Sequence, residues 1–335
     1  MTSAVAIQVE GVARSFGDVH AVRDASFEVH AGSVTALIGP NGSGKTTLLL
    51  MLATLLRPDV GTIRIAGHDP TADPRAVRSA MGWMPDVLGS WGSVSVRRTL
   101  EVTGRLYERT AEQSRIRAQQ LIELVGLTEL ADQPTRVLSR GQKQRLSLAR
   151  ALVHEPSVLL LDEPASGLDP AARIDLRTLV RRLASEGVAI LVSSHVLAEL
   201  DEMADTAVYL EKGSSVSAAR IEQSRTQARD WRIRAVDEAQ LAATLATLQI
   251  VSGTPDHLGT TVSVAGEAEA ALVLARLVAA GVAISAFGPA VGDFEHTFLD
   301  LSRGERAPAE QSADTTVQST DMTEQSTDTT EEVGR

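Results

Sequence analysis

Residues 34–50, VTALIGPNGSGKTTLLL, carry the densest chemical pattern in the chain. Val34 to Ile38 is an apolar run of strand length, and from Thr46 onward Leu48, Leu49, Leu50, Leu52, Leu55 and Leu56 mark a helix. Between them Gly39, Pro40, Asn41, Gly42, Ser43, Gly44, Lys45, Thr46 and Thr47 make a glycine-rich turn. Its glycines let the backbone turn N–H groups inward, so phosphate oxygens can be cradled at a helix N-terminus. Lys45 adds a positive charge for β- and γ-phosphates, and the Thr46 hydroxyl can ligate Mg²⁺. The chain has three lysines, Lys45, Lys143 and Lys212, so one in this slot is more telling than usual. The plain alternative is a strand-to-helix turn that happens to contain a lysine.

Two further segments fit the same chemistry. Val158-Leu159-Leu160-Leu161-Asp162-Glu163 ends an apolar strand with two acids. Ligands of parallel sheets sit at the carboxyl ends of strands, so both acids emerge beside the phosphates. Asp162 would hold Mg²⁺, directly or through water, and Glu163 would polarise an attacking water. Solvated acids capping a strand end are the alternative. In Leu138-Ser139-Arg140-Gly141-Gln142, a Ser and a Gly opening a helix can donate to a γ-phosphate with the helix dipole assisting. Taken alone, the same residues are an ordinary helix cap.

These segments need a parallel sheet to bring them together, and the chain supplies one. At 335 residues it can form one large or two ordinary domains. Val5, Ile7, Val9 and Ala25, Phe27, Val29 alternate as half-buried strands, and Ile63 and Ile65 mark another, which suggests an antiparallel flap on a parallel core. Val87 to Leu138 is helical and rich in Arg, Glu and Gln, an inserted helical subdomain at about 87–140. Val158–Leu161 and Val188–Ser193 read as buried strands, with Ile174, Leu176, Leu179, Val180 and Leu183 a helical stripe facing the sheet.

The pattern changes near residue 215. Strands at Trp231–Val236, Thr260–Val264 and Val282–Ala286 alternate with helices at Asp237–Leu248 and Glu267–Ala280, a small α+β module of split βαβ type, with Ile250 a candidate start of one more strand. Phe294, Phe298 and Leu301 share one helical face. Residues 304–335 lack periodicity and read as a disordered acidic tail. The expected domains are 1–215, 216–303 and the tail.

Composition excludes several classes. Without cysteine there is no disulfide, thiolate metal site or cysteine nucleophile, which fits an intracellular setting or one indifferent to redox. The net charge is −11; the tail, with eight acids against two arginines, holds −6 of it and leaves −5 for residues 1–303. A mildly acidic body argues against nucleic acid as a partner. The longest apolar run, Ala270–Phe287, is interrupted by Arg276, so nothing is expected to span a membrane unaided.

On these residues, the chain from 1 to about 215 resembles the nucleotide-binding subunit of an ATP-binding cassette transporter, a P-loop NTPase fold. Gly39–Thr46 is similar to the family's phosphate loop, Leu138–Gln142 to its signature motif and Leu161–Pro164 to its acidic strand. Ala165-Ser166-Gly167-Leu168-Asp169 resembles the loop that crosses the dimer interface, and His195 after Ser194 matches the switch histidine. Phe16 stands where the family places an aromatic ring against adenine, although the residue alone could equally staple the flap. Asp86, in Met84-Pro85-Asp86, occupies the loop that senses the γ-phosphate and faces the membrane partner.

The resemblance implies ATP and Mg²⁺ as cofactors, with Thr46, Asp162 and Asp86 around the metal and Glu163 and His195 catalytic. It also implies a head-to-tail pair of identical or different cassettes. Each ATP would lie between one chain's phosphate loop and the other's Leu138, Ser139, Arg140, Gly141 and Gln142, with Ser166, Gly167, Leu168 and Asp169 at the interface. Arg140 replaces the family's Gly, and Asp86 its Gln. The expected role is an ATPase on the inner face of the cell membrane that energises a separate permease. A cassette followed by a small module ending in an aromatic, acid-containing helix resembles the subgroup serving drug, antibiotic or lipid export. Two alternatives stand beside it. A soluble cassette ATPase acting on the ribosome or nucleic acid would want tandem cassettes, a coiled-coil insertion or a basic face. A regulatory ATP-binding module with little turnover would suit Arg140 and Asp86.

Overall fold

The computed structural model describes residues 4–304 apart from 88, 90, 226 and 227, so the acidic tail beyond Gly304 lies outside the described residues. The chain opens with two long strands, β1 (Val5–Phe16) and β2 (Val19–His30), whose alternate residues Ile7, Val9, Ala25 and Val29 are buried. β3 (Val34–Ile38) is buried at every position, as a strand covered on both faces must be. α1 (Lys45–Leu52) and β4 (Val60–Ile65) follow, then α2 (Pro74–Ala80) and β5 (Met81–Met84). Three helices come next, α3 (Val96–Leu106), α4 (Ala111–Leu124) and α5 (Arg140–Ala151), capped by Ser95, Thr110 and Ser139. The core resumes with β6 (Val158–Asp162), α6 (Pro170–Ser185), β7 (Ala189–Ser193), α7 (Leu197–Met203), β8 (Thr206–Glu211) and the two-residue β9 (Ser214–Ser215).

These strands form one sheet in the order β4-β1-β2-β9-β8-β3-β7-β6-β5. From β8 to β5 neighbours are parallel, while β4, β1 and β2 are antiparallel and make the flap. β9 joins the halves: it turns back along β8 and pairs Ser214 with Asp24 of β2. Period-two alternation sorts the two cores. Ala36, Leu159 and Ile190 look toward the helices α3–α7, and Leu37, Leu160 and Leu191 toward α1 and the flap. Leu48, Leu49, Met51 and Leu52 anchor α1 by full burial, each side chain contributing about 1.5–3 kcal/mol.

Three sequence expectations are corrected. α1 ends at Leu52, and Leu55 is 61% exposed in the loop beyond it. On α6, Leu176, Val180 and Leu183 face the sheet but Ile174 is 53% exposed, because a 3.6-residue period carries it round to the solvent side. Ile250 opens no strand; only Ser252 makes an isolated bridge to Val262.

Beyond α8 (Ala218–Arg225) lie β10 (Arg229–Ala235), α9 (Glu238–Thr247), β11 (Thr260–Val264), α10 (Gly266–Ala279) and β12 (Ile284–Pro289), the last starting two residues later than expected. The three strands lie in the order β11-β10-β12, so the antiparallel β10 sits between the two strands that α10 connects, a split βαβ unit. Trp231, Ile233, Leu241, Leu245, Val262 and Leu277 give it a core of its own.

The closing helix α11 (Asp293–Gly304) does not share that core. Phe294 and Leu301 are buried in the cassette's core. Asp201 of α7 accepts from the Phe294 N–H at 2.8 Å, and Arg220 of α8 donates to the Leu301 carbonyl at 3.2 Å. Residues 216–303 therefore divide between a separate module and a helix returned to the cassette.

Candidate functional site

The phosphate loop runs from the end of β3 into α1. Gly44 has φ +100°, and a Cβ there would sit 2.3 Å from the Ala21 carbonyl of β2, so both conformation and space demand glycine. At Gly39 a Cβ would fall 2.5 Å from the Leu210 carbonyl. No side chain caps α1, and its first turn holds no acid, which leaves N–H groups and dipole for an anion. Lys45 Nζ donates to the Gly39 and Pro40 carbonyls at 2.7 and 3.1 Å, lying across the loop it would serve. Burial holds its ammonium below the ordinary lysine value, against the opposing pull of Glu163 and Asp162. Asn41, Gly42 and Thr46 are exposed, and Thr47 is half-buried. Ser43 is buried with its hydroxyl unpartnered.

Parallel register brings the acids to this loop: Leu37 of β3 and Asp162 of β6 both pair with Ser193 of β7. The buried Ser193 hydroxyl donates to Asp162 Oδ1 at 2.7 Å. Burial raises Asp162 above the ordinary carboxylate range; the Ser193 bond opposes it, the charges of Glu163 and Asp86 add to it, and Lys45 works against them. Glu163 sits at φ +51°, a strained left-handed position for a non-glycine residue. Three contacts hold it there. Its N–H reaches the Ser193 carbonyl at 3.2 Å, its carbonyl accepts from Gln144 Nε2 at 2.9 Å, and its Oε2 lies 2.7 Å from His195 Nδ1. His195 is two-thirds exposed and the Glu163 side chain largely covered, so the couple has one open side.

The signature segment opens α5 as a capping box. Ser139 Oγ accepts from the Gln142 N–H at 3.2 Å, and Gln142 Oε1 accepts from the Ser139 N–H at 2.8 Å. Leu138 is buried beneath it. Arg140 donates to Ser166 Oγ at 2.8 Å, and Gly141 faces Leu168. Asp169 caps α6 by accepting from the Ala172 N–H at 2.9 Å, which lowers its carboxyl below the ordinary value. Phe16, at the end of β1, is 46% exposed with the Arg14 guanidinium 4.9 Å from its ring centre. Asp86 is exposed after β5.

The structure thus gathers Lys45, Asp86, Asp162, Glu163 and His195 at one edge of the sheet, and sets the signature segment against 166–168. Sequence reasoning missed Ser193 and Gln144. Ser193 was visible as the polar residue ending an apolar run two positions before His195. Gln144 was visible as a polar residue one turn before Leu148 on the buried stripe of α5.

Residues 22–166 match the family described as ABC transporter. The chain is 36% identical over 253 residues to the daunorubicin resistance ATP-binding protein DrrA3 of Streptomyces coeruleorubidus, covering 75% of this chain and 80% of that protein. It is 38% identical over 211 residues to the Nod factor export ATP-binding protein I of Burkholderia lata, covering 63% and 69%. A solved structure described as the ATP binding subunit of an ABC transporter superposes with TM-score 0.60 at 25% identity, over 65% of this chain and 92% of that one. No helix among the described residues is long and apolar enough to cross a membrane. A relative this similar over most of both lengths, on a fold shared with a solved cassette, shows that the chain belongs to the ABC transporter family, as one of its ATP-binding, ATP-hydrolysing subunits.

Proposed function

We propose that the chain is the motor of an exporter. It works as a head-to-tail pair of cassettes on the inner face of the cell membrane, and its ATP cycle drives a separate permease that moves a drug-like, antibiotic or lipid molecule outward. The observation that carries the hydrolytic step is the 2.7 Å contact between Glu163 and His195 at the sheet edge that holds the phosphate loop. Lys45 exchanges the loop carbonyls for β- and γ-phosphate oxygens, and the N–H groups of 42–47 take the remaining charge. Glu163 polarises the attacking water, while His195 keeps the carboxylate aimed and offers its other ring nitrogen to the γ-phosphate.

The oxygens at this edge suit Mg²⁺. Thr46 and Asp162 are hard ligands, and the crowding of Asp162 by Glu163 and Asp86 is what a cation between them relieves. Asp86, shorter than the family's Gln, would reach it through water. Bound there, Mg²⁺ neutralises charge on the β- and γ-oxygens. Pairing supplies what one chain lacks, since Ser139 and Gly141 open a helix whose bonds run to the interface loop, leaving them to serve a second chain's ATP. Export draws support from the region past the cassette: a 253-residue match outruns the 215 residues that end at β9. Nucleic acid is not proposed as a partner.

Glu163→Gln is expected to bind Mg·ATP undiminished, to lose about 10²–10⁴-fold in hydrolysis, and to accumulate as a dimer by light scattering. Unchanged turnover, or monomer at saturating Mg·ATP, would sink the reading. In inverted vesicles carrying the permease, ATP-dependent accumulation of substrate is expected; ATP-dependent loss would make the system an importer.

A further inference from the structure

Arg140 is the residue at which the signature segment departs from its family, and its side chain has a defined place. It follows the cap Ser139 directly as the first residue of α5. The guanidinium folds back over the interface loop of its own chain, donating to Ser166 Oγ at 2.8 Å. The stem crosses Gly167, which has φ +75°; a Cβ at Gly167 would fall 2.7 Å from Arg140 Cδ and 2.8 Å from Nε. Among the described residues no carboxylate pairs with Arg140, so a neutral hydroxyl and a glycine surface hold this charge.

That contact does not stand alone. Ser166 N–H donates to the Glu163 carbonyl at 3.1 Å, and the same carbonyl accepts from Gln144, one turn along α5 from Arg140. Gly141 also lies against Leu168: a Cβ there would be 3.3 Å from Leu168 Cδ2. The start of α5 and the segment from Glu163 to Leu168 are therefore held together at three places. One end of this unit is Ser139, which on the paired-site reading faces the partner chain's ATP; the other is Glu163, which on that reading serves the chain's own.

We propose that Arg140 is a positioning residue that couples the two ATP sites of the pair: closure of Ser139 on one nucleotide is passed through the Arg140–Ser166 contact to Glu163 at the other. The inference rests on the paired-site reading. Gln144 keeps Glu163 in place when the contact breaks, so losing Arg140 loosens communication and leaves the isolated protomer's own hold on nucleotide intact. The bond is single, exposed and made to a neutral partner, which lets it form and release within each cycle.

The test is steady-state ATP hydrolysis by the purified full chain, read as turnover and Hill coefficient against ATP concentration. Binding of ADP to the isolated protomer is measured in parallel. Wild type is expected to show a Hill coefficient approaching about 2, the number of coupled sites. Arg140→Gly and Ser166→Ala should each bring it to about 1 and lower turnover about five-fold, the worth of one such hydrogen bond, with ADP affinity unmoved. The double variant should be no worse than either single, because both remove the same contact. Cooperativity and turnover untouched in both single variants would overturn the proposal. So would loss on Arg140→Gly with Ser166→Ala silent, which would mean that the guanidinium instead reaches the partner's γ-phosphate. Should the glycine variant fail to fold, Ser166→Ala and Arg140→Lys report on the same contact. A wild type that neither dimerises with ATP nor hydrolyses it cooperatively would strike the paired-site reading itself.

Discussion

Ser193→Ala isolates the bond that tunes the acidic strand end. The hydroxyl is fully buried, donates to Asp162 Oδ1 at 2.7 Å, and is the first of the influences opposing burial's upward push on that carboxyl. A hydrogen bond to an ionised group is worth about 1.5–3 kcal/mol, and it favours the ionised form. Its removal should therefore raise the Asp162 titration further. The sign for stability follows from the direction already present. Asp162 titrates above its unfolded value, so its favourable contribution is present at low pH and is lost as pH rises through the folded value. The alanine variant, its folded value raised further, should go on losing it to higher pH, so its deficit against wild type should open as pH rises. ATP hydrolysis measured from about pH 5.5 to 9 should show the acid limb of kcat/KM moved to higher pH. Melting curves at the two ends should show a larger deficit at the alkaline end than at the acid end. A limb that does not move, with equal loss of Tm at both ends, would reduce the bond to packing and refute the electrostatic argument.

Three other outcomes are expected. Gly44→Ala meets about 1–2 kcal/mol of left-handed strain and a carbonyl 2.3 Å away, and shifting the loop by about 1 Å should cost about 10²-fold in kcat/KM; wild-type kinetics would contradict it. Phe16→Ala should raise the KM for ATP about ten-fold with Tm unchanged, because the ring is half exposed and free to stack; a fallen Tm with KM unmoved would make it a staple of the flap. His154 stacks on Tyr107 at 3.8 Å, with Nε2 3.0 Å from the Met81 carbonyl, and burial lowers its pKa to about 4. Its neutral form is the folded one, so its contribution is present above about pH 6.5 and is lost toward pH 4; His154→Phe should flatten that part of the Tm profile between pH 7.5 and 4.5, and an identical slope would exclude it.

The phosphate loop, the acidic strand end and the buried strands around them were legible because each is local: a five-residue apolar run or a fixed spacing of glycines declares itself without its neighbours. The split βαβ unit was legible for the same reason, since its periods switch cleanly between two and 3.6. What escaped depends on partners distant in sequence. Two residues of β9 bridge flap and core through pairing alone, which no periodicity encodes. Ser193 acquires its role only when parallel register sets it beside Asp162. Arg140 read only as a replacement for the family's Gly, and its contact with Ser166, 26 residues on, became visible only in three dimensions. Ile174 and Leu55 were drawn into stripes by composition, and the helix geometry turned them out to water.

The return of α11 has a practical bearing on how this protein can be cut. The C-terminal module is threaded between two cassette helices, and its first and last strands run side by side, Trp231 opposite Pro289, with Ala290 N–H bonded to the Asp230 carbonyl at 2.8 Å. A stop codon placed before α11 would strip Phe294 and Leu301 from the interior and unfold what it was meant to simplify. A short peptide joining 228 to 290 would instead excise the module and leave both anchors seated. The module is thus exchangeable cargo on a closed frame, open to swapping between related proteins without touching the nucleotide-binding machinery.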